Sequence, residues 1–206
     1  MAQTEERLPL FPLGLVMLPT ELVPLHIFEE RYKLMIGECL DGDTEFGIVW
    51  LAEDGLREIG CSASVEQVLE RMPDGRMNIL VRGGRPFQLV RRIEDMPYPA
   101  GDVEFLDDDE LEADEELAAE ARETYADLVQ HVTDERPPLE QLAELSSYGM
   151  ASTIELSPEP KQALLEERSE DARLRVVAQL FDLALKRLEK AEEAQEAARS
   201  NGKVRF

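Results

Sequence analysis

The spacing of apolar residues changes near the middle of the chain. Between residues 8 and 106, short apolar runs and alternating apolar and polar positions lie between turn-forming residues, a pattern typical of strands. The predicted strands are Leu8–Leu18, Thr44–Gly55, Ile59–Arg71, Met77–Val81, Phe87–Ile93 and Val103–Leu106. Prolines in the first of them favour an edge or irregular strand. Several short strands with a single helix among them predict a small barrel.

One helix is predicted among these strands, and the segment PLHIFEERY is interpreted as the turn out of the first strand and the start of this helix. Apolar residues recur there at steps of three and four, so they share one face and are expected to be buried: Phe28, Tyr32, Met35, Ile36, Cys39 and Leu40. Glu29 and Glu30 suit the first turn, where carboxylates complement the positive end of the helix. Arg31 is expected to pair with a nearby carboxylate, and Asp41-Gly42-Asp43 ends the helix.

Turn signals connect the strands. Asp54-Gly55 and Pro73-Asp74-Gly75 predict tight turns, the second of them within a hairpin. The alternation changes phase at Glu66-Gln67-Val68, which indicates a bulge. Gly83-Gly84 predicts a turn or a bulge.

The second half of the chain is predicted to be helical. After an acidic connector, a stripe with helical spacing runs through Leu117, Ala121, Tyr125, Leu128, Val129 and Val132. Pro137-Pro138 ends that helix, residues 139–156 predict a second, and Ser157-Pro158 opens a third. A last helix begins near Ser169. The chain is therefore predicted to be α+β, with a β-barrel subdomain over 7–108 and a helical bundle over 112–196.

The charge of the chain narrows its possible partners. The formal net charge is 22 − 45 = −23, with 17 acids against 10 bases in residues 1–100 and 28 against 12 in residues 101–206. Such an excess of acids argues against a broad nucleic-acid surface and against an anionic membrane. It could attract basic peptides, although much of it is expected to be a solvated helical surface.

The N-terminus and the cysteines suggest a compartment. Acids stand where a signal peptide has basic residues, and no apolar run approaches the roughly 20 residues that span a bilayer. Cys39 and Cys61 are the only cysteines and do not form a CxxC pair. We expect a soluble protein of the reducing cytoplasm.

No motif for catalysis or metal binding is present. The single Gly-Lys, at Gly202-Lys203, is followed by valine, so it is not a phosphate-binding loop, and there is no GxSxG or HExxH. The Ser157/Lys161 spacing indicates a helix N-terminus more than a Ser-Lys dyad. The two histidines and two cysteines fall on different predicted elements. We therefore expect no enzyme activity, metal or cofactor, and His26 is interpreted as a packed or rim histidine.

Several segments resemble one known family. They are LPLFPLGLVMLPTELVPLHIFEERYKLMIGECL, FGIVW, EIGCSASVEQVLERMPDGRMNILVRGGRPFQL and IELSPEPKQALLEERSEDARLRVVAQLFDLALKRL. Together they resemble the N-terminal, substrate-binding domain of Lon protease from about Leu8 to Lys190. Thr20-Glu21 at the first bend and the inserted proline of Arg85-Pro86-Phe87 depart from the family pattern.

The resemblance implies a PUA-like β-pseudobarrel followed by a helical bundle. In Lon this region precedes an ATPase and a Ser-Lys protease, helps to select unfolded or tagged proteins, and supports assembly. The chain resembles standalone bacterial members that lack both catalytic domains. The resemblance thus implies a non-catalytic module that binds unfolded, basic or hydrophobic protein segments, as an adaptor or regulator in proteolysis.

A binding site is expected in an apolar groove between barrel and helices. The predicted lining residues are Phe11, His26, Phe28, Tyr148 and Met150, and the alternative is that all five belong to the core. Two other functions stay open. RNA binding would use Arg82, Arg85, Arg91 and Arg92, and a self-associating scaffold would pair its last helix between subunits.

Overall fold

The structure is a computed structural model that describes residues 4–109 and 113–201. The strands are β1 (Thr4–Leu13), β2 (Leu22–Ile27), β3 (Phe46–Ala52), β4 (Gly55–Arg71), β5 (Met77–Ile93) and β6 (Ala100–Phe105). The helices are α1 (Glu30–Gly42), α2 (Glu115–Thr133), α3 (Leu139–Ala143), α4 (Ser147–Ala151), α5 (Pro158–Glu166) and α6 (Glu170–Asn201). The predicted α+β class is confirmed.

The chain divides into two compact units. Among the described residues, the sheet unit contains all six strands, α1 and the segment Ala151–Ser169, and the helical unit contains residues 113–150 and Glu170–Asn201. The sequence predicted an uninterrupted helical subdomain over 112–196, whereas the segment that contains α5 groups with the strands.

The strands of the sheet unit close into a small barrel. Their order is β2-β5-β4-β3-β1-β6, and β6 pairs with β5 as well as with β1, so β2 lies outside the closed ring. β1 and β3 are parallel, and the other pairs are antiparallel. Inside the barrel, the rings of Phe87 and Phe105 meet edge to face with centroids 6.5 Å apart. The predicted barrel is confirmed.

The first strand is irregular, one of the two alternatives that its prolines predicted, but it is not an edge strand. β1 pairs with β6 over Thr4–Pro9 and with β3 over Leu10–Leu13. Each part of β1 therefore has its ladder partners on one side, and a proline nitrogen can face the other side without removing a ladder hydrogen bond. The register shifts between Glu5 and Leu8, where Arg7 has a φ of 62°.

A strand that the sequence did not predict precedes α1. β2 pairs antiparallel with β5 from Leu22↔Arg82 to Ile27↔Met77. Pro24 lies in its middle, as an edge strand permits. His26 is therefore a strand residue, whereas its segment was interpreted as a turn into the helix.

Helix α1 buries the predicted face except at its start. Tyr32, Met35, Ile36 and Cys39 are buried, and Asp43 in the left-handed conformation ends the helix as expected. Phe28 lies outside the helix and is 58% exposed, so its prediction as the first residue of the buried stripe was wrong. The predicted local ion pair of Arg31 is confirmed at 2.8 Å from Glu29.

The predicted turns and bulges are confirmed. Gly55 and Gly75 have φ of 135° and 84°, which the two turns require. The β4–β5 register shifts between Val65 and Gln67, and again between Cys61 and Ala63, opposite the Gly83-Gly84 pair. Because those glycines form a bulge, β5 is one strand of 17 residues where two were predicted.

Polar contacts attach α5 to the barrel. Lys161 forms an ion pair with Glu21 on the loop between β1 and β2, and both side chains are almost fully buried. Gln162 donates to the carbonyl oxygen of Ile59 on β4 at 3.2 Å. Ser157 is the N-cap and Pro158 the first residue of α5, which confirms the predicted helix start. The Lys161 amine is thus engaged away from Ser157.

The helical unit is built on the contact between α2 and α6. Tyr125 and Phe181 pack with ring centroids 5.6 Å apart. The apolar stripe of α6 continues through Leu174 and Val177, which are buried. This packing inside the unit accounts for the first part of the stripe on which the self-association hypothesis depends, whereas Leu188 farther along α6 is 37% exposed. No helix among the described residues is long and apolar enough to cross a membrane.

Two short helices, α3 and α4, replace the single helix predicted for residues 139–156. The hydroxyl oxygen of Ser146 accepts a hydrogen bond from the backbone N–H of Gly149 at 3.2 Å. This local side-chain acceptor competes with a continuous helix, as serine commonly does.

Candidate functional site

A groove of about 600 Å³ opens on the sheet unit, where the end of β1, the end of β2 and the start of α1 meet. Its lining is largely apolar and continues through Leu51, Leu56 and Pro99, while Glu29, Arg31 and Arg92 are its charged residues. We call it the barrel groove. Its size suits a few side chains of an extended peptide.

Two aromatic rings form the floor of the barrel groove. The rings of Phe11 and Tyr32 lie 4.1 Å apart between centroids and are tilted by 31°. Both residues are buried, at 6% and 5% exposure. Burial raises the pKa of Tyr32, so its hydroxyl stays neutral. Because the two side chains are held by the core, the floor is preformed.

The rim of the barrel groove carries two exposed apolar side chains. Phe28 is 58% exposed and Leu51 is 52% exposed. A single exposed apolar residue is ordinary on a protein surface. Two of them beside an apolar depression form a surface that a partner could cover.

The imidazole of His26 has a defined hydrogen-bonding state. Its Nδ1 lies 2.6 Å from Oδ1 of Asn78, and the amide nitrogen of Asn78 donates to Glu70 at 3.0 Å. A carboxylate only accepts, so the amide nitrogen must face Glu70 and the amide oxygen must face His26. Nδ1 therefore carries the proton, and Nε2 of neutral His26 is an acceptor. The ring also stacks on Phe28, with centroids 5.9 Å apart.

The barrel groove is locally cationic, in contrast to the whole chain. Glu29 and Arg31 form an ion pair with each other at 2.8 Å. The Arg31 guanidinium also lies 4.6 Å from the centre of the Tyr32 ring. Arg92 lines the groove and, within residues 4–109 and 113–201, makes no ion pair. One positive charge among the groove-lining residues thus has no ion-pair partner in the described part of the chain, although Arg92 also lines a second depression together with Glu6, Glu94, Asp95 and Asp102.

The structure brings together three of the five predicted site residues. Phe11, His26 and Phe28 line the barrel groove. Tyr148 and Met150 belong to the helical unit, where they are 8% and 0% exposed. The guanidinium of Arg173 lies over the Tyr148 ring at 4.3 Å.

The sequence did not point to Leu51, Arg92 or Tyr32 as site residues. Leu51 lies on β3, where the register with β4 shifts between Val49 and Leu51. Side chains of a strand alternate between its two faces, which indicated that Leu51 could point outward but did not reveal the groove beside it. Arg92 was considered only within a possible RNA-binding patch.

Three of the four arginines of that patch already have carboxylate partners. Arg82 pairs with Glu66 at 2.9 Å, and Arg85 pairs with Asp107 at 3.0 Å. The third, Arg91, pairs with Asp102 at 2.6 Å, and this hydrogen bond lowers the pKa of Asp102. Phosphates would have to displace these carboxylates, so the patch offers little to RNA.

No cluster of three or more potential metal-ligating side chains exists among the described residues. Cys39 and Cys61 are free and buried. Burial raises the pKa of both thiols, which disfavours the reactive thiolate.

Solved structures with the same fold come from Lon N-terminal regions. One is the Lon N-terminal domain protein from Xanthomonas campestris, with 24% identity and a TM-score of 0.63, over 82% of this chain and 95% of that one. Another is the N-terminal domain of Lon protease from the Mycobacterium avium complex, with 24% identity and a TM-score of 0.66, over 86% of this chain and 98% of that one.

Sequence relatives of the chain include Lon proteases. The chain is 21% identical to Lon protease of Cytophaga hutchinsonii over 88% of its length, and 26% identical to Lon protease of Syntrophomonas wolfei over 91%. It spans about a quarter of the length of each. The model of the ATP-dependent protease La (LON) substrate-binding domain matches residues 7–182. The chain therefore belongs to the Lon substrate-binding domain family.

Proposed function

We propose that this protein is a non-catalytic module that binds apolar segments of unfolded proteins in the barrel groove. The observation that carries the proposal is the 58% exposure of Phe28 beside a preformed aromatic floor. The description of the matching family as a substrate-binding domain supports it. Acting in the cytoplasm as an adaptor or regulator of proteolysis, the module would present such segments to a protease.

The apolar area available implies weak, reversible binding. Full burial of a phenylalanine or leucine side chain is worth about 1.5–3 kcal/mol, and Phe28 and Leu51 are already about half buried. Covering both therefore contributes about 2–3 kcal/mol, to which the floor adds further contact. Association itself costs at least about 4 kcal/mol, more than Phe28 and Leu51 return, so a micromolar dissociation constant needs the contacts of the floor and of the rest of the segment as well.

The net charge adds long-range selection. A chain of formal charge −23 attracts basic segments and repels acidic ones at distances up to about one Debye length, roughly 8 Å at physiological ionic strength. Unfolded, apolar segments from basic proteins are therefore the expected partners.

A binding assay with a matched control tests the proposal. Fluorescence anisotropy would measure the affinity of the full chain for labelled, unfolded apolar peptides. Phe28→Ala is expected to weaken binding by about fivefold or more, the factor that corresponds to about 1 kcal/mol. Val90→Ala is the control, because Val90 is also 58% exposed but does not line the groove.

Two outcomes would contradict the proposal. One is the absence of saturable binding at high micromolar concentrations, and the other is an equal loss in both variants. An adaptor or regulator should also change the rate at which an ATP-dependent protease degrades the bound substrate. Phe28→Ala should abolish that change.

A further inference from the structure

We propose that the barrel groove selects segments in which a tryptophan lies beside an acidic residue. His26 would accept a hydrogen bond from the indole N–H, and Arg92 would pair with the neighbouring carboxylate. This inference rests on the proposed function and names the chemistry of the segment that the groove prefers.

The acceptor on His26 is the first basis. The chain of hydrogen bonds from Glu70 through Asn78 fixes the proton on Nδ1, at 2.6 Å from the Asn78 oxygen. Nε2 of the neutral ring makes no hydrogen bond among the described residues and keeps its lone pair. A ligand ring that covers this edge of His26 should offer a donor to Nε2, because otherwise it removes that atom from water without compensation.

Indole is the side chain that best matches these surroundings. The stacked rings of His26 and Phe28 form an aromatic wall beside the aromatic floor of the groove. Tryptophan offers a large flat ring with a donor and no acceptor. Phenylalanine fills a similar space but has no donor. Tyrosine offers a smaller ring, and its hydroxyl can both donate and accept a hydrogen bond.

The guanidinium of Arg92 is the second basis. Glu29 and Arg31 neutralise each other, so Arg92 is the groove-lining charge without an ion-pair partner among the described residues. The carboxylates that share its second depression, such as Glu6 and Glu94, form no ion pair with it. A carboxylate next to the bound aromatic residue complements that charge. This preference acts at contact distance and coexists with the attraction of basic residues farther along the segment, which the net charge of the chain provides over longer distances.

The decisive experiment compares three peptides that differ in one ring. Each is an extended segment of about seven residues, roughly 23 Å long, with tryptophan, 1-methyltryptophan or phenylalanine next to an aspartate. Methylation keeps the indole shape and removes its donor. The full chain should bind the tryptophan peptide about three- to tenfold more tightly than the other two, as one hydrogen bond allows.

Variants assign the effect to the two residues. His26→Phe keeps an aromatic ring against Phe28 and should abolish the difference between tryptophan and 1-methyltryptophan. Exchanging the peptide aspartate for asparagine should weaken binding to the wild type about two- to fivefold. The same exchange should have no effect on Arg92→Gln. The comparison of tryptophan with 1-methyltryptophan on the wild type is a measurement that does not rely on a folded variant.

The outcomes separate this inference from the proposed function. Equal binding of all three peptides, with Phe28→Ala still weakening each of them, would overturn the inference and leave the proposed function standing. A tryptophan preference that persists in His26→Phe would also overturn it. Absence of binding by any of the peptides or by unfolded apolar chains would overturn both.

Discussion

Replacing Lys161 by methionine is expected to destabilise the sheet unit by about 3–5 kcal/mol, because the change leaves a buried carboxylate without its cation. The side chains of Lys161 and its partner Glu21 are 12% and 11% exposed, so water replaces little of the lost contact. The other carboxylate oxygen of Glu21 accepts a hydrogen bond of 2.9 Å from the backbone N–H of Leu18. That neutral donor remains but cannot balance the charge.

Removing the charge of Glu21 instead should destabilise the sheet unit less. Glu21→Gln keeps an amide oxygen for the Leu18 N–H, and the flexible stem of Lys161 lets its ammonium turn towards water. We expect a loss of about 1–2 kcal/mol. In the Glu21→Gln variant, the further change Lys161→Met should lower the free energy of unfolding only slightly, because neither buried side chain then carries a charge. The resulting coupling energy should be about 2 kcal/mol or more.

Urea unfolding provides the measurement. The single tryptophan, Trp50, lies on β3, so its fluorescence reports on the sheet unit. Arg82→Met is the control, because it breaks an ion pair with Glu66 whose side chains are 44% and 42% exposed, and solvent-exposed pairs contribute little to stability. If Lys161→Met costs no more than this control, the burial argument is refuted.

Two further predictions concern the same unit. Burial and a hydrogen bond to Glu38 raise the pKa of Tyr98 to about 12. Its stabilising effect should be complete below about pH 10, the unfolded value, and lost as the pH rises through about 12. The measurement is the tyrosinate absorbance of the wild type minus that of Tyr98→Phe, followed as a function of pH. A midpoint near the ordinary tyrosine pKa would contradict the prediction. Gly83→Ala should cost about 1–3 kcal/mol in urea unfolding, because its Cβ would lie 2.0 Å from the backbone oxygen of Leu18. Gly14→Ala, with nothing within 4 Å of the added carbon, is its control, and equal stabilities would refute the steric argument.

Local patterns predicted most of the elements, because side-chain period is a local property of the chain. The step of three and four identified the buried residues Tyr32, Met35 and Ile36 of α1, and turn chemistry identified Gly55 and Gly75. Such local patterns could not predict the position of β1 in the sheet. Its prolines suggested an edge or irregular strand, but β1 lies between β3 and β6. Strand partners that are distant in sequence produce no local pattern from which they could be predicted.

The grouping of α5 with the barrel is another consequence of distant contacts. The sequence showed a helix start at Ser157 and a lysine one turn later, but the partner of Lys161 is Glu21, 140 residues earlier. A pair of opposite charges in a chain with 45 acids cannot be recognised by spacing alone. Only the fold selects one carboxylate among so many.

The exposure of Phe28 arises from the change of backbone period at the start of α1. Helical spacing places Phe28 one turn before Tyr32, on the buried face, but Glu29 is extended at φ −74° and ψ 137°, and the helix begins at Glu30. Phe28 therefore continues the alternation of β2. Ile27 is 1% exposed, so its neighbours His26 and Phe28 both point outward, which brings their rings together.

This arrangement separates stability from binding. A large apolar side chain held outside the core contributes little to folding, so Phe28→Ala should change the free energy of unfolding by less than about 0.5 kcal/mol. The same change should weaken peptide binding about fivefold, the value expected for a lost contact of about 1 kcal/mol. A residue that breaks the local pattern without stabilising the fold is best explained by a ligand that covers it. If Phe28→Ala instead destabilised the sheet unit by several kcal/mol, Phe28 would be a core residue, and the argument for the barrel groove would lose its basis.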